Sequence, residues 1–353
     1  MAMTEPIRVL IVDDSALIRL LLTDLLGAAT DIRVVGAARD GDEALQLAAS
    51  LLPDVITLDV QMPGKSGLEI LQPLFAIRSF PILMISTLTQ EGADVTLQAL
   101  ELGAIDYLPK PERNQLAELR NAGDLLANKV RMAFASKVRR TRRPPAPTVA
   151  NHEKERPTST TLRPSHSKSG TRPVVVIGIS TGGPQTLSEI FPAIVPPVPP
   201  ILIVQHMPGH FTAAFAERLN RSSLLAIKEA EEGDMILPGR VLVAPGGRHM
   251  TIIGSPAHPS VTLSDGPTVS GHKPSIDLLF QSAAKIFGAG TTGLIMTGMG
   301  RDGVEGCKAI LAAGGDAFGQ DEASSMVYGP YRATTEKRLC NSSRRIKPRV
   351  RSN

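Results

Sequence analysis

Two α/β domains in tandem, each a parallel sheet covered by helices, are what this sequence predicts. Three observations predict it. Apolar, largely β-branched runs alternate with amphipathic helical segments along both halves of the chain. A proline-, serine- and arginine-rich stretch at residues 137–172 separates the halves and has almost nothing to bury. The 353 residues are enough for two separate cores; with 42% hydrophobic residues, 3% aromatic and no tryptophan, both should be aliphatic. The boundaries that follow are a first domain at 1–136, a disordered basic linker at 137–172, a second domain at 173–330 and a basic tail at 331–353.

In chain order, the strand candidates of the first half are "IRVLIV", "IRVVGAA", "VITL", "PILMIS" and "IDYLP". Between them, "SALIRLLLTDLLGA" and "DEALQLAASL" repeat apolar residues at helical spacing. The second half continues the alternation with "VVVIGI", "PILIVQ", "RVLVAP", "VTLS" and "TGLIMTG", which the same reasoning assigns to a parallel sheet.

Loops at the carboxyl ends of parallel strands form the crevice where chemistry collects. In the first half those ends carry Asp13 and Asp14, then Asp59, Ser86 and Lys110. Clustered carboxylates repel, so a hard divalent cation with oxygen ligands is the natural neutraliser, and Mg²⁺ suits a site that leaves room for phosphate. The set, in this order at successive strand ends, resembles the receiver domain of two-component response regulators, over residue 6 to about residue 130. The resemblance implies a flavodoxin-like, doubly wound (βα)5 fold. It implies that Asp59 accepts a phosphoryl group from a histidine kinase, that Asp13, Asp14 and Asp59 hold Mg²⁺, and that Lys110 pairs with the acyl phosphate. Ser86 would sense it, with Thr87 offering a second hydroxyl beside it, and the Lys110–Pro111 bond would be cis. A receiver names no output. The second half shows no helix-turn-helix pattern, which argues against transcription.

In the second half, "VVVIGISTGGPQTL" runs a strand into glycine, a serine and a glycine-opened helix. Such a turn can cradle a phosphate on backbone N–H groups, or expose a nucleophile beside donors for an oxyanion. "GISTGG" matches neither GxGxxG nor GxxxxGK[ST] nor GxSxG, so its neighbours must decide. A serine needs a base and a carboxylate to orient that base. His206 follows the next strand in "PILIVQHMPGHF", and Asp302 follows "TGLIMTGMG", so Ser180, His206 and Asp302 all stand just past strand ends. His210 is four residues from His206, but Pro208 and Gly209 between them argue against a zinc pair on one helix.

"GISTGG", "VQHMP", "VAPGGRHM", "HKPSIDLLF" and "MTGMGRDG…QDEASSMVYG" closely resemble the catalytic domain of the chemotaxis protein-glutamate methylesterase family, CheB, from Val174 to Gly329. The resemblance implies a three-layer α/β/α, Rossmann-like domain and a serine hydrolase acting on glutamate methyl esters of chemoreceptor helical bundles. Glutamine deamidation by the same machinery is also implied. Ser180 becomes the nucleophile, His206 the general base and acid, and Asp302 its orienting carboxylate. Thr181 would help position His206, and Met299 would lie by the oxyanion pocket. His249 and His272 would line the cleft in structural or substrate-positioning roles, and Asp277 would cap or decorate a helix. No cofactor is needed for hydrolysis. The rival reading is a non-catalytic response regulator whose α/β output binds a nucleotide or a protein partner.

The net charge of +4 does not point to nucleic acid. The basic residues concentrate in 137–172 and 331–353, with no stacking aromatics beside them, and the remainder is acidic. No apolar run approaches the roughly 20 residues of a membrane span, and "MAMTEPIR" does not read as a signal peptide. Cys307 and Cys340 make neither a disulfide framework nor a zinc site, so a reducing, cytoplasmic setting is expected. Past "SSMVYG" the motifs end and the tail turns basic with few apolar residues; such an ending would leave core surface uncovered.

Overall fold

In the computed structural model, which describes residues 5–86, 90–110, 116–136, 172–298, 300–321 and 324–327, each half builds its own parallel sheet. The first half runs β1 (Ile7–Val12), α1 (Ala16–Gly27), β2 (Ile32–Ala38), α2 (Gly41–Leu51), β3 (Val55–Asp59), α3 (Gly67–Ile77), β4 (Ile82–Ser86), α4 (Gln90–Glu101), β5 (Asp106–Pro109) and α5 (Leu116–Ala135). Its sheet order is β2-β1-β3-β4-β5, so the chain reverses direction between β1 and β3. Val12 pairs with Leu58 there, which sets Asp13 and Asp59 side by side at the reversal point.

Local chemistry starts these helices where the strands end. Ser15 caps α1, Asp40 caps α2 by accepting the Glu43 amide at 2.9 Å, and Ser66 with Glu69 forms a reciprocal capping box on α3. Gly67 is required at the start of α3. A β-carbon there would lie 2.0 Å from the Asp59 carbonyl oxygen, so only glycine lets the helix abut the acidic strand end.

The second half runs β6 (Val174–Ile179), α6 (Gly183–Ile190), β7 (Ile201–Gln205), α7 (Gly209–Ser222), β8 (Ala226–Glu229), β9 (Arg240–Val243), β10 (His249–Ser255), β11 (His258–Ser264), α8 (Ile276–Phe287), β12 (Thr291–Ile295), α9 (Val304–Ala312) and β13 (Asp316–Gly319). The parallel sheet has the order β13-β12-β6-β7-β9-β8 and reverses direction between β6 and β12. Val174 and Val176 pack with Leu279, Phe280 and Ile310 of α8 and α9; Ile177 and Ile179 cluster with Leu187 and Phe211 of α6 and α7. This period-2 alternation makes three layers. Gly178 faces α8 so closely that a β-carbon would meet Ile276 at 2.3 Å, which brings the start of α8 to the end of β6.

One predicted strand is placed differently from the sequence reading, and three observed strands, β8, β10 and β13, were not read from it. "VTLS" lies in β11, which pairs antiparallel with β10 in a separate two-stranded ribbon, Met250 opposite Leu263. Its alternating buried and half-buried residues suit a ribbon with one face in contact, not a fully buried strand. The sheet edges are instead "AIKE" and "DAFG", four-residue strands too short and too polar to register as apolar runs.

The halves share one apolar cluster, in which Leu97, Leu100 and Tyr107 join Phe211, Phe215 and Leu219. Around it, Arg218 of α7 pairs with Glu101 of α4, and Gln185 of α6 donates to the carbonyls of Leu100 and Ala104, the latter at 2.7 Å. The Tyr107 and Phe211 rings lie 4.4 Å apart. Apart from Arg172, the linker lies outside the described residues, as do the tail at 331–353, Thr87, Pro111 and Met299.

Candidate active site

At the first sheet's reversal point the expected acidic set is assembled. Single carboxylate oxygens of Asp13, Asp14 and Asp59 lie within 4.8 Å of one another, and Lys110 Nζ lies 2.7 Å from Asp59 Oδ2 and 3.0 Å from Asp13 Oδ2. Asp13 and Asp59 are buried and Asp14 is exposed. Burial pushes the Asp59 carboxyl up to about 6, against the pull of Lys110 and with the Asp13 charge adding to the rise. Hard oxygen donors so close together, with one cation already compensating, fit a divalent metal bound through oxygen. Ser86 ends β4 buried; its carbonyl accepts the Lys110 amide at 2.7 Å, and its hydroxyl faces the Gly92 carbonyl at 3.4 Å.

At the second sheet's reversal point, Ser180 follows β6, His206 follows β7, and Asp302 follows β12. Short backbone bonds hold these loops in register. The Ser180 amide donates to the Thr297 carbonyl at 2.9 Å, and the His206 amide to the Ile179 carbonyl at 3.1 Å. The buried Gln205 amide donates to the Ser180 carbonyl at 3.0 Å and to the His206 carbonyl at 3.2 Å. A β-carbon on Gly298 would sit 2.7 Å from Ser180 Cβ, so glycine alone admits this approach of the β12 loop to the serine.

His206 Nε2 meets Asp302 Oδ2 at 2.9 Å. Since the carboxylate can only accept, Nε2 carries the proton and Nδ1 carries the lone pair. Nδ1 is buried and has no hydrogen-bond partner among the described residues, so the link from His206 to Ser180 is not closed. Burial alone would raise the Asp302 carboxyl; His206 and the amides of Ile276 and Asp277 outweigh it and hold the group below the usual carboxylate range. Asp277 goes the other way. Burial and the neighbouring Asp302 charge raise it, while its Oδ1 accepts the Gly306 amide at 2.7 Å. Asp277 stands in the first turn of α8, and its side chain caps α9.

His272 stacks on His206, ring centroids 3.8 Å apart and planes within 4°. Burial, with His206 second, pulls the His272 pKa down to about 4. His249 is buried at the start of β10, where its ring nitrogens contact Ser275 and Pro267. His210 lies inside α7 and His206 outside it, as the Pro208–Gly209 break predicts.

Thr181 departs from expectation. Its hydroxyl donates not to His206 but to Asp106 Oδ2 of the first half, at 2.7 Å, and Lys129 Nζ reaches the same oxygen at 2.6 Å. A buried hydroxyl takes a carboxylate oxygen within reach, and Asp106 supplies it. Neither Asp106 nor Lys129 was identified from sequence, because they lie 75 and 52 positions before Thr181 and join it through the fold rather than through a motif.

Residues 175–347 match the family model described as CheB methylesterase, and residues 9–122 match that of the response regulator receiver domain. The first match runs past Gly329, where the motif resemblance ended. The chain is 45% identical over 326 residues to a protein-glutamate methylesterase/protein-glutamine glutaminase 1 of Geobacter metallireducens, covering 92% of this chain and 89% of that one. It is 43% identical over 329 residues to a protein of Xanthomonas oryzae pv. oryzae, named as the second such enzyme, covering 93% and 91%. The corresponding protein of Nitrosomonas europaea is 42% identical over 325 residues, covering 92% and 89%.

Proposed function

The chain belongs to the CheB methylesterase family, with a response regulator receiver domain ahead of the esterase, and on that premise we propose how its residues perform and control the reaction. It is a protein-glutamate methylesterase and protein-glutamine glutaminase. The observation that supports the site assignment is the bond from His206 to Asp302, formed at the sheet's reversal point beside Ser180.

The substrate is a methylated glutamate on a chemoreceptor helix. Nδ1 of His206 takes the Ser180 proton as Oγ adds to the γ-carbonyl. The oxyanion forms near the start of α6, where the helix end favours negative charge. The C–O bond to methoxide breaks, His206 returns the proton, and methanol leaves an acyl-serine. Water, deprotonated by His206, then restores glutamate and the free serine. A glutamine side chain follows the same course with ammonia leaving. Asp302 keeps the imidazole in the Nε2–H tautomer throughout.

The receiver controls this step. Asp59 takes a phosphoryl group from a histidine kinase; Asp13, Asp14 and Asp59 would hold Mg²⁺, and the ion would supply positive charge against the incoming phosphate. Unphosphorylated, β5 and α5 hold Thr181 through Asp106, and the Ser180–His206 link stays open. Phosphorylation draws on Lys110 and Ser86, loosens the receiver from residues 173–330 and admits a bulky helical substrate.

Methanol release from methylated receptor tests the reaction. Ser180→Ala is expected to reduce it by roughly 10⁴–10⁶-fold, because members of such a triad act as a unit. A variant that keeps most of its activity removes Ser180 from the mechanism, and the non-catalytic reading returns.

A further inference from the structure

Among the described residues, His206 is one of four donors to Asp302. Oδ1 accepts the Ser275 hydroxyl at 2.8 Å and the Asp277 amide at 3.0 Å; Oδ2 accepts the Ile276 amide at 2.7 Å beside His206 Nε2. A carboxylate offers about four lone-pair sites, so this one is saturated. Two of the donors are among the first N–H groups of α8, which no helical carbonyl can satisfy. Ser275, fully buried, is the N-cap of that helix, its Oγ facing the Leu278 amide at 3.5 Å. Its own amide donates to His249 Nδ1 at 3.2 Å, and His249, 1% exposed, passes its Nε2–H to the Pro267 carbonyl at 2.9 Å. With Nε2 the donor and Nδ1 the acceptor, both ring nitrogens are committed. An N-cap serine needs only its oxygen to cap a helix. Here the hydroxyl proton is also used, and it is directed at Asp302.

We infer that Ser275 and His249 are positioning residues for the hydrolysis: His249 fixes the Ser275 backbone, and the Ser275 hydroxyl fixes the carboxylate plane to which His206 donates. The inference rests on Ser180, His206 and Asp302 acting as proposed above. It has an electrostatic consequence. The Ser275 hydroxyl draws charge from Asp302 that would otherwise stabilise the imidazolium of His206. Without it, the imidazolium is favoured, and the base needs a higher pH to be free.

The test uses the full chain with Mg²⁺ and a small-molecule phosphodonor, with rates normalised to serines titrated by a fluorophosphonate. Ser275→Ala is expected to lower kcat by about 10–100-fold at unchanged KM, the range for losing one hydrogen bond to a charged group. The acid limb of kcat/KM moves to higher pH. Ser275→Thr restores both. His249→Asn, which keeps an acceptor in place of Nδ1, stays near the parent, while His249→Leu follows Ser275→Ala. If Ser275→Ala only lowers the melting point or the number of titratable serines, with kcat per site and the acid limb unmoved, Ser275 is a helix cap and the inference fails. The His249 pair decides the matter if Ser275→Ala does not fold: equal rates and equal acid limbs in His249→Asn and His249→Leu also overturn it. Ser180→Ala, run alongside, separates the two failures. Activity surviving in Ser180→Ala overturns the site reading and this inference together, whereas activity lost there but normal in Ser275→Ala overturns this inference alone.

Discussion

His272 lies flat on the ring of His206, and its own pKa of about 4 keeps it uncharged wherever the base can work. An unfolded chain binds a proton on this group below about pH 6.5, the folded chain only below about 4. Because the unfolded state holds the extra proton in that window, this group's contribution to stability is present above it and is lost as the pH falls from about 6.5 to about 4. His272→Gln should flatten the fall of the melting temperature across that window; parallel curves for parent and variant would contradict it. At this scale, the residues legible in the sequence are those that end strands. Ser180, His206, Asp302, Asp13, Asp59 and Lys110 each follow an apolar run, so position in the string fixed position at the sheet edge. Ser275 carried a visible signal too, a serine before a helical pattern, but its hydroxyl proton going to Asp302 depends on packing that no local pattern encodes.

Among the elements, β5 carries an unusual load. Lys110 follows it and reaches Asp59, while Asp106 at its other end accepts the Thr181 hydroxyl. One four-residue strand therefore separates the lysine of the acidic cluster from the carboxylate that binds the esterase. Asp106→Ala removes the acceptor shared by Thr181 and Lys129, and should raise methanol release without phosphodonor about tenfold, the effect of one lost bond to a charged group. An unchanged basal rate would show that Asp106 does not restrain the site. The strands themselves were readable where they are buried and apolar. The two edge strands were not, because an edge needs only one covered side and few apolar residues, and β11 was misassigned because antiparallel ribbons and parallel strands share short apolar runs.

Over the whole molecule, the two sheets meet through α4 and β5 of the receiver and α6 and α7 of the esterase. The contact is apolar at its centre, ringed by the Arg218–Glu101 pair and the Gln185 bonds. Tyr107 places its hydroxyl in this contact with no hydrogen-bond partner among the described residues, at a cost of about 1–3 kcal/mol. That two α/β domains stand in tandem was plain from periodicity and the basic divide; which faces meet was not, since the contacts join residues roughly a hundred positions apart in chain order. Methanol release from methylated receptor, compared before and after a small-molecule phosphodonor in the parent and in Asp59→Asn, tests the account most directly. It predicts acceleration in the parent and none in Asp59→Asn; equal rates before and after phosphodonor in the parent would contradict it.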